Sequence, residues 1–252
     1  MGEELPVTYL ILIASVMAGA MIQAVIGFGL SAVIMAFLPL VLPYGTCIGV
    51  NMGVCVAATA VLSIRYYKSV RWKVLLTLLG PSVLLSVVIS LLSGNVSNDI
   101  LYLLLGLLFI VMALWFFFLA GRVSIRPTTF NGLAMGTLCG IFNGLFAMCG
   151  PPLALYLIAA LKDKKEYLAT IQTFFFISNM VVLITRIAMG NVGLGDLPYI
   201  GIGWVALIIG TVVGTLIFKR IDKAIFNKIV YIFIAINGLW IIISRLISML
   251  GQ

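Results

Sequence analysis

The chain has 252 residues, of which 63% are hydrophobic and only 9% are charged. Soluble domains average about 25% charged residues, and no charge occurs here between Glu4 and Arg65 or between Arg126 and Lys162. This composition excludes a water-soluble protein and predicts an all-α integral membrane protein that crosses the bilayer several times. The net charge of +8 does not indicate nucleic-acid binding, because thirteen of the fifteen basic residues fall in four short loops, as is usual for cytoplasmic loops.

Hydrophobic segments follow one another along the chain with short loops between them. A spanning helix needs about 20 apolar residues. Segments of about that length are 5–26, 44–64, 74–93, 99–120, 167–189, 198–218 and 226–249. Less regular apolar segments are 27–43, 131–148 and 150–161. Because the first segment lacks a basic region before it, we expect a retained helix and not a cleaved signal peptide. Some of the other segments are expected to be half-helices or re-entrant arms.

The charged loops predict the orientation of the segments. Basic clusters occur at 65–73, 122–126, 162–165 and 219–228, and clusters of this kind mark the cytoplasmic side. The loops 94–99 and 191–197 carry no basic residue and are assigned to the outside. Counting crossings then places both termini outside the cytoplasmic (inner) membrane. It also makes 5–43 and 131–161 helical hairpins.

The two halves of the chain match at an offset of 121 residues. This offset pairs Gly19 with Gly140, Gly29 with Gly150, Asn51 with Gln172, Arg65 with Arg186, and Gly80 with Gly201. By the loop charges, segment 44–64 runs inward whereas its partner 167–189 runs outward. We therefore predict two inverted repeats within one transmembrane domain, 1–121 and 122–252, each beginning with a glycine-broken hairpin.

Glycine-rich breaks interrupt both hairpins. The first break is Gly27-Phe28-Gly29 and the second is Cys149-Gly150-Pro151-Pro152. Unpaired backbone groups persist at membrane depth only where they are buried in protein or line a cavity. The helix after each break would present free N–H groups and the positive end of its dipole. The breaks thus predict an anion site near the midplane, with close helix packing through small residues as the alternative interpretation.

Polar side chains within the apolar segments supply further candidates. The conspicuous amides are Gln23, Asn51, Asn143, Gln172 and Asn179. Amides can bind and release an anion because they donate hydrogen bonds without a charge, although they also link neighbouring helices. The matched pair Asn51 and Gln172, together with Asn143, is predicted to bind substrate.

Arg65 and Arg186 are also paired by the repeat. They are predicted to lie at opposite mouths of the pathway. For Arg186, snorkelling toward lipid phosphate groups is an equal alternative to attracting anions.

The spans carry no candidate for acid–base or metal chemistry. The chain has no histidine, and no Asp or Glu falls at the centre of a predicted span. The four cysteines have no metal-ligand spacing, so we predict no metal, no cofactor and no enzymatic activity. Cys149 lies at the second break and could contact a sulfur-containing substrate. A thiol relay through Cys149 and Cys139 is a less favoured alternative, since buried cysteines commonly act as small apolar residues.

At these breaks the chain resembles the TauE/SafE family of membrane permeases, the sulfite exporter family. The first hairpin carries the run from Gly19-Ala20 to Gly27-Phe28-Gly29, and the second reads Gly140-Ile141-Phe142-Asn143-Gly144 before Cys149-Gly150-Pro151. The resemblance covers essentially the whole chain and departs from the family pattern at Cys149, where a glycine is expected. It implies transport of small anions such as sulfite or sulfonates. Direction does not follow, since the family includes exporters and importers.

Together these features predict a transporter in which one repeat rocks against the other around a midplane anion site. Gly27, Gly29, Gly150 and Pro151 would shape that site, with Phe28 beside them. The expected partners are a small anion and the lipid bilayer. An oligomer stays open, because lipid-facing and subunit-facing surfaces are both apolar. A channel-like anion pore is the alternative that the lack of titratable groups favours.

Overall fold

The structure is a computed structural model and describes residues 4–94, 96–118, 125–217, 236 and 238–243. Over these residues the chain is helical and contains no strand, which confirms the all-α membrane fold. The helices are α1 (Glu4–Ile26), α2 (Leu30–Phe37), α3 (Tyr44–Arg65), α4 (Trp72–Ser93), α5 (Asn98–Phe118), α6 (Thr129–Phe146), α7 (Gly150–Ala160), α8 (Lys164–Ala188) and α9 (Leu197–Ile217).

Stretches long and apolar enough to cross a membrane occur in five of the described helices, α1, α3, α4, α8 and α9. Some expectations lie outside the described residues. They are the basic loop 219–228, the residue Arg122, the boundary between the repeats, and the segment 226–249 apart from residue 236 and the helical residues 238–243.

A polar cap extends helix α8 beyond its apolar core. The Asp163 carboxylate accepts hydrogen bonds from the N–H groups of Lys165 and Glu166 at 2.9 and 2.8 Å. Helix α8 therefore begins at Lys164, three residues before the predicted segment. Because a cap residue pairs N–H groups that have no partner within the helix, a helix can start in polar sequence that hydropathy alone does not include.

The predicted segment 27–43 is not one helix. Helix α2 ends at Phe37 and is followed by a 3₁₀ turn, Leu38–Leu40, that contains Pro39. Proline lacks the N–H group that a continuing helix would use. Pro43 then directly precedes α3, so the chain reverses between α2 and α3 within a few residues.

Helices α3 and α8 form the centre of the bundle and run antiparallel. Near one end of the pair, a Cβ on Gly49 would lie 2.7 Å from Val192, which follows α8. Near the other end, the Ser63 hydroxyl donates to Thr173 Oγ1 at 3.0 Å. The start of α3 thus meets the end of α8, and two clusters of buried apolar side chains pack around this pair.

Helix α4 packs along α6 in a parallel sense. Gly132 lies beside Thr77 at the start of the two helices, and Gly144 lies against the Ser86 carbonyl nearer their ends. Helix α1 packs against α9 in the same sense. Because the offset of 121 residues relates α1 to α6 and α4 to α9, these two packing pairs exchange under it.

The two basic loops that precede α4 and α8 lie together at one end of the bundle. Arg71 forms an ion pair with Glu166, and the Arg71 N–H donates to Thr170 Oγ1 at 3.1 Å. The hydrogen bond and the charge of Glu166 raise the pKa of the Arg71 guanidinium above its ordinary value. Lys165 also lies 5.9 Å from the ring centroid of Tyr66. The two loops lie close together, as expected if both are on the same side of the membrane.

Candidate functional site

Both breaks are tight reversals that join a long helix to a short one. The first tip (residues 27–29) has positive φ angles at Gly27 (+89°) and Gly29 (+112°), a region that favours glycine. In the second tip (residues 147–149) the positive φ lies at Ala147, at +58°. Gly29 and Cys149 are the residues that directly precede α2 and α7.

The tips therefore align with an offset of 120 residues, so the expected pairing of Gly29 with Gly150 is shifted by one. Ala147 takes the place of Gly27, and Cys149 that of Gly29. Cys149 has a φ of −152°, which lies outside the left-handed region that favours glycine. The cysteine at the position where the family pattern has glycine is therefore not at a positive φ.

The two tips touch each other. A Cβ on Gly150 would lie 2.6 Å from Cδ2 of Phe28, so the Phe28 ring of the first tip packs directly on the start of α7. Gly150 has an ordinary helical φ, and it is the contact that requires glycine here. The predicted meeting of the breaks is therefore present as a van der Waals contact.

Each tip is held by an amide from the central helix of the other half. Asn51 on α3 donates to the Ala147 carbonyl at 3.1 Å, and Gln172 on α8 donates to the Gly27 carbonyl at 2.8 Å. Both amides are fully buried. This places the tips against the middle thirds of α3 and α8. In this arrangement the two amides donate to carbonyls of the tips, whereas the sequence predicted that they would donate to the substrate.

Asn143 and Arg65 do not reach the space between the tips. Asn143 is fully buried and donates to Ser178 Oγ at 2.9 Å. Arg65 is exposed at the end of α3, and its guanidinium carbon lies 5.7 Å from the ring centroid of Tyr66.

Arg186 lies neither at an open mouth nor at a lipid surface, because its side chain is only 4% exposed. It donates to the Gly144 carbonyl at 2.7 Å and to Ser93 Oγ at 2.9 Å. Ser90 donates to the same Gly144 carbonyl at 3.3 Å, and the Tyr44 hydroxyl donates to the next carbonyl, that of Leu145, at 2.8 Å.

The last carbonyls of a helix have no partner within it, and they carry the negative end of the helix dipole. Arg186, Ser90 and Tyr44 therefore satisfy the buried end of α6 just before the second tip. A cation suits this position because its charge opposes that of the helix end.

A cavity of about 50 Å³ lies between the tips, α3 and α8. Since one water molecule requires roughly 10–15 Å³, this space suits a ligand of a few heavy atoms. Among the residues predicted to bind substrate, its wall includes Phe28, Gly29, Cys149, Gly150 and Pro151. Gly27, Asn51, Asn143 and Gln172 do not line it.

The polar part of the cavity wall is uncharged. It is formed by Gln23, Ser31, Cys55, Thr59, Cys149 and Asn179. Within the described residues, no acidic or basic side chain reaches it, and no three His, Cys, Asp or Glu side chains cluster as a metal site. The wall offers hydroxyl, thiol and carboxamide groups, which donate hydrogen bonds without fixing a charge.

Asn179 is the residue that sequence reasoning undervalued. Its side chain is 4% exposed, it lines the cavity, and no group in the described part of the chain hydrogen-bonds to it. Asn179 follows Gln172 by seven residues, which places the two on the same face of α8. The spacing of seven residues could have indicated Asn179 from the sequence, because a residue two helical turns from Gln172 faces the same side of α8.

Two broken hairpins whose tips meet beside a cavity with an uncharged wall define this chain as a multi-pass transport protein of the membrane. It belongs to the sulfite exporter TauE/SafE family, whose model matches residues 11–241. This confirms the resemblance seen at the breaks and identifies a family of membrane transporters of sulfite and related anions, not of enzymes. No curated protein and no solved structure matches the chain closely enough to count as a relative.

Proposed function

We propose that the protein carries sulfite or a related organosulfur anion across the cytoplasmic membrane, and that the anion binds in the cavity between the tips. The observation that carries this proposal is the contact of the two tips beside a cavity whose polar wall groups are uncharged. Family membership supports the sign and size of the substrate. We place the basic loops in the cytoplasm and both termini outside, following the distribution of lysine and arginine.

The chemistry of the cavity is compatible with reversible binding. Backbone N–H, hydroxyl and amide groups replace part of the hydration of an anion. A cationic partner inside the cavity would hold the anion more tightly and slow its release. Neutral donors, together with the positive end of a helix dipole, therefore suit a carrier that must bind on one side and release on the other.

We further propose alternating access by rocking of two inverted repeats. Equivalent helices related by an in-plane two-fold axis must run antiparallel, and α3 and α8 do so. The exchange of the α1–α9 and α4–α6 pairs supports the same relation. Because Asn51 and Gln172 link each tip to the opposite repeat, motion of one repeat would carry the cavity wall with it.

The test is sulfite flux in proteoliposomes made with purified protein. We expect saturable uptake and counterflow, in which unlabelled sulfite inside drives entry of labelled sulfite. The Gly29→Ala variant should lose flux, because its φ is +112° and its Cβ would lie 2.8 Å from Ile22. Gly201→Ala is the matched control, since no atom lies within 4 Å of that Cβ. Absence of saturable anion flux under any gradient would refute the proposal.

The channel-like pore is the second candidate, favoured by the absence of charged side chains from the described cavity wall. A pore conducts without counterflow and produces single-channel currents. A carrier shows counterflow and no unitary currents. The same reconstituted protein therefore distinguishes the two.

A further inference from the structure

We propose that the anion binds asymmetrically, against the first residues of α2 in the first tip, with Asn179 of α8 as its side-chain ligand. This inference deepens the proposed function and rests on it. The symmetry of the fold would place a ligand midway between two equivalent tips. The hydrogen-bonding groups of the two tips are not equivalent, and this difference selects one of them.

The start of α2 presents three free backbone donors. The N–H groups of Leu30, Ser31 and Ala32 have no acceptor among the described residues, and the first helical bond is from the Val33 N–H to the Gly29 carbonyl at 3.2 Å. Gly29 itself supplies no capping side chain. Ser31 and Ala32 line the cavity whereas Leu30 does not, so two of these donors belong to residues at the ligand space, at the positive end of the helix dipole.

The start of α7 presents fewer donors in its first three residues. Its first three residues are Gly150, Pro151 and Pro152, and proline has no N–H group. Only Gly150 therefore retains a backbone donor at the positions that correspond to Leu30, Ser31 and Ala32. The prolines stabilise the start of a helix, but they remove the groups that would bind an anion. The second tip thus forms a wall of the cavity, and the first tip forms its anion-binding side.

Asn179 supplies the independent evidence for a ligand. Asn179 is 4% exposed, lines the cavity and makes no side-chain hydrogen bond in the described structure. The nearby amide of Asn143 has its donor satisfied by Ser178 at 2.9 Å, and that of Gln172 has its donor satisfied by Gly27 at 2.8 Å. Asn179 is thus a cavity-lining amide whose donors remain free for an oxyanion.

The experiment measures sulfite transport by variants of the first tip and of Asn179. Ser31→Pro removes one N–H group at the position that proline already occupies in α7, whereas Ser31→Ala removes only the hydroxyl. We expect the KM of Ser31→Pro to exceed that of Ser31→Ala roughly tenfold, as one hydrogen bond to a charged group requires. Asn179→Ala should raise KM by roughly the same factor with little change in maximal rate.

The outcomes separate this inference from the proposed function. If the unmodified protein shows no saturable sulfite flux, the proposed function fails. If it transports sulfite but Ser31→Pro matches Ser31→Ala and Asn179→Ala keeps its KM, the asymmetric site is wrong. Should Ser31→Pro not fold, as judged by gel filtration, calorimetric titration of Asn179→Ala with sulfite decides the matter. Unchanged affinity would overturn the proposal, and roughly tenfold weaker binding would support it.

Discussion

The contact between the tips can be tested by adding one methyl group. In Gly150→Ala the new Cβ would lie 2.6 Å from Cδ2, 3.2 Å from Cγ and 3.4 Å from Cβ of Phe28. The Phe28 ring must therefore move, and because it lines the cavity, its displacement also changes the ligand space. Backbone strain does not contribute, because the φ of Gly150 is ordinary.

The expected cost follows from packing. Inserting a methyl group into a packed site costs about 1–3 kcal/mol, and the higher helix propensity of alanine offsets less than about 1 kcal/mol of it. A net loss of about 1–2 kcal/mol is therefore expected in the free energy of unfolding. In a chain of this size it lowers the midpoint of thermal unfolding by roughly 2–8 °C. The measurement is thermal unfolding in detergent, followed by sulfite flux.

A second substitution tests whether the Phe28 ring causes the loss of stability. In the double variant Gly150→Ala with Phe28→Leu, the smaller side chain leaves room for the methyl group, so most of the stability lost in Gly150→Ala should return. Gly201→Ala, with open space around its Cβ, should keep or slightly raise the melting midpoint. Equal stability of Gly150→Ala and the parent protein, or no relief from Phe28→Leu, would refute the tip contact.

Three further variants test individual roles. Gln172→Leu should lower the free energy of unfolding by about 1–2 kcal/mol, because a tip carbonyl loses its donor; a raised sulfite KM without loss of stability would instead indicate a ligand. Arg186→Met should lower the free energy of unfolding by about 1–3 kcal/mol and reduce maximal flux, and Arg186→Lys should recover part of both. An unchanged melting midpoint in Arg186→Met would contradict the role of Arg186 at the end of α6. Replacing Cys139 and Cys149 with alanine should leave saturable flux, whereas a thiol relay would lose all activity.

Much of the fold was readable in the sequence because hydropathy reports burial directly. Apart from segment 27–43, the predicted segments and the helices agree to within a few residues over the described chain, for example 44–64 against Tyr44–Arg65. The two breaks were also readable, because glycine and proline disrupt helices locally. The boundaries that differ, such as the start of α8, depend on the Asp163 cap and not on apolar content.

The candidate site was only partly readable, because an amide in a membrane helix has the same appearance whether it holds a helix or a ligand. Asn51 and Gln172 point at carbonyls of the opposite half, whereas Asn179 points at the cavity without a partner. Arg186 likewise faces the end of α6. These differences depend on which groups meet across long sequence separations.

The sequence by itself determined that this protein is a helical membrane transporter of the TauE/SafE type with two broken hairpins. Hydrophobic composition, loop charge and the position of glycine are local properties of the sequence, and their effects do not depend on which distant residues they contact. Tertiary structure alone decided how the tips align, which amides hold them and which amides line the cavity. The reason is physical: a buried polar group takes its role from its nearest partner, and that partner lies in the other half of the chain.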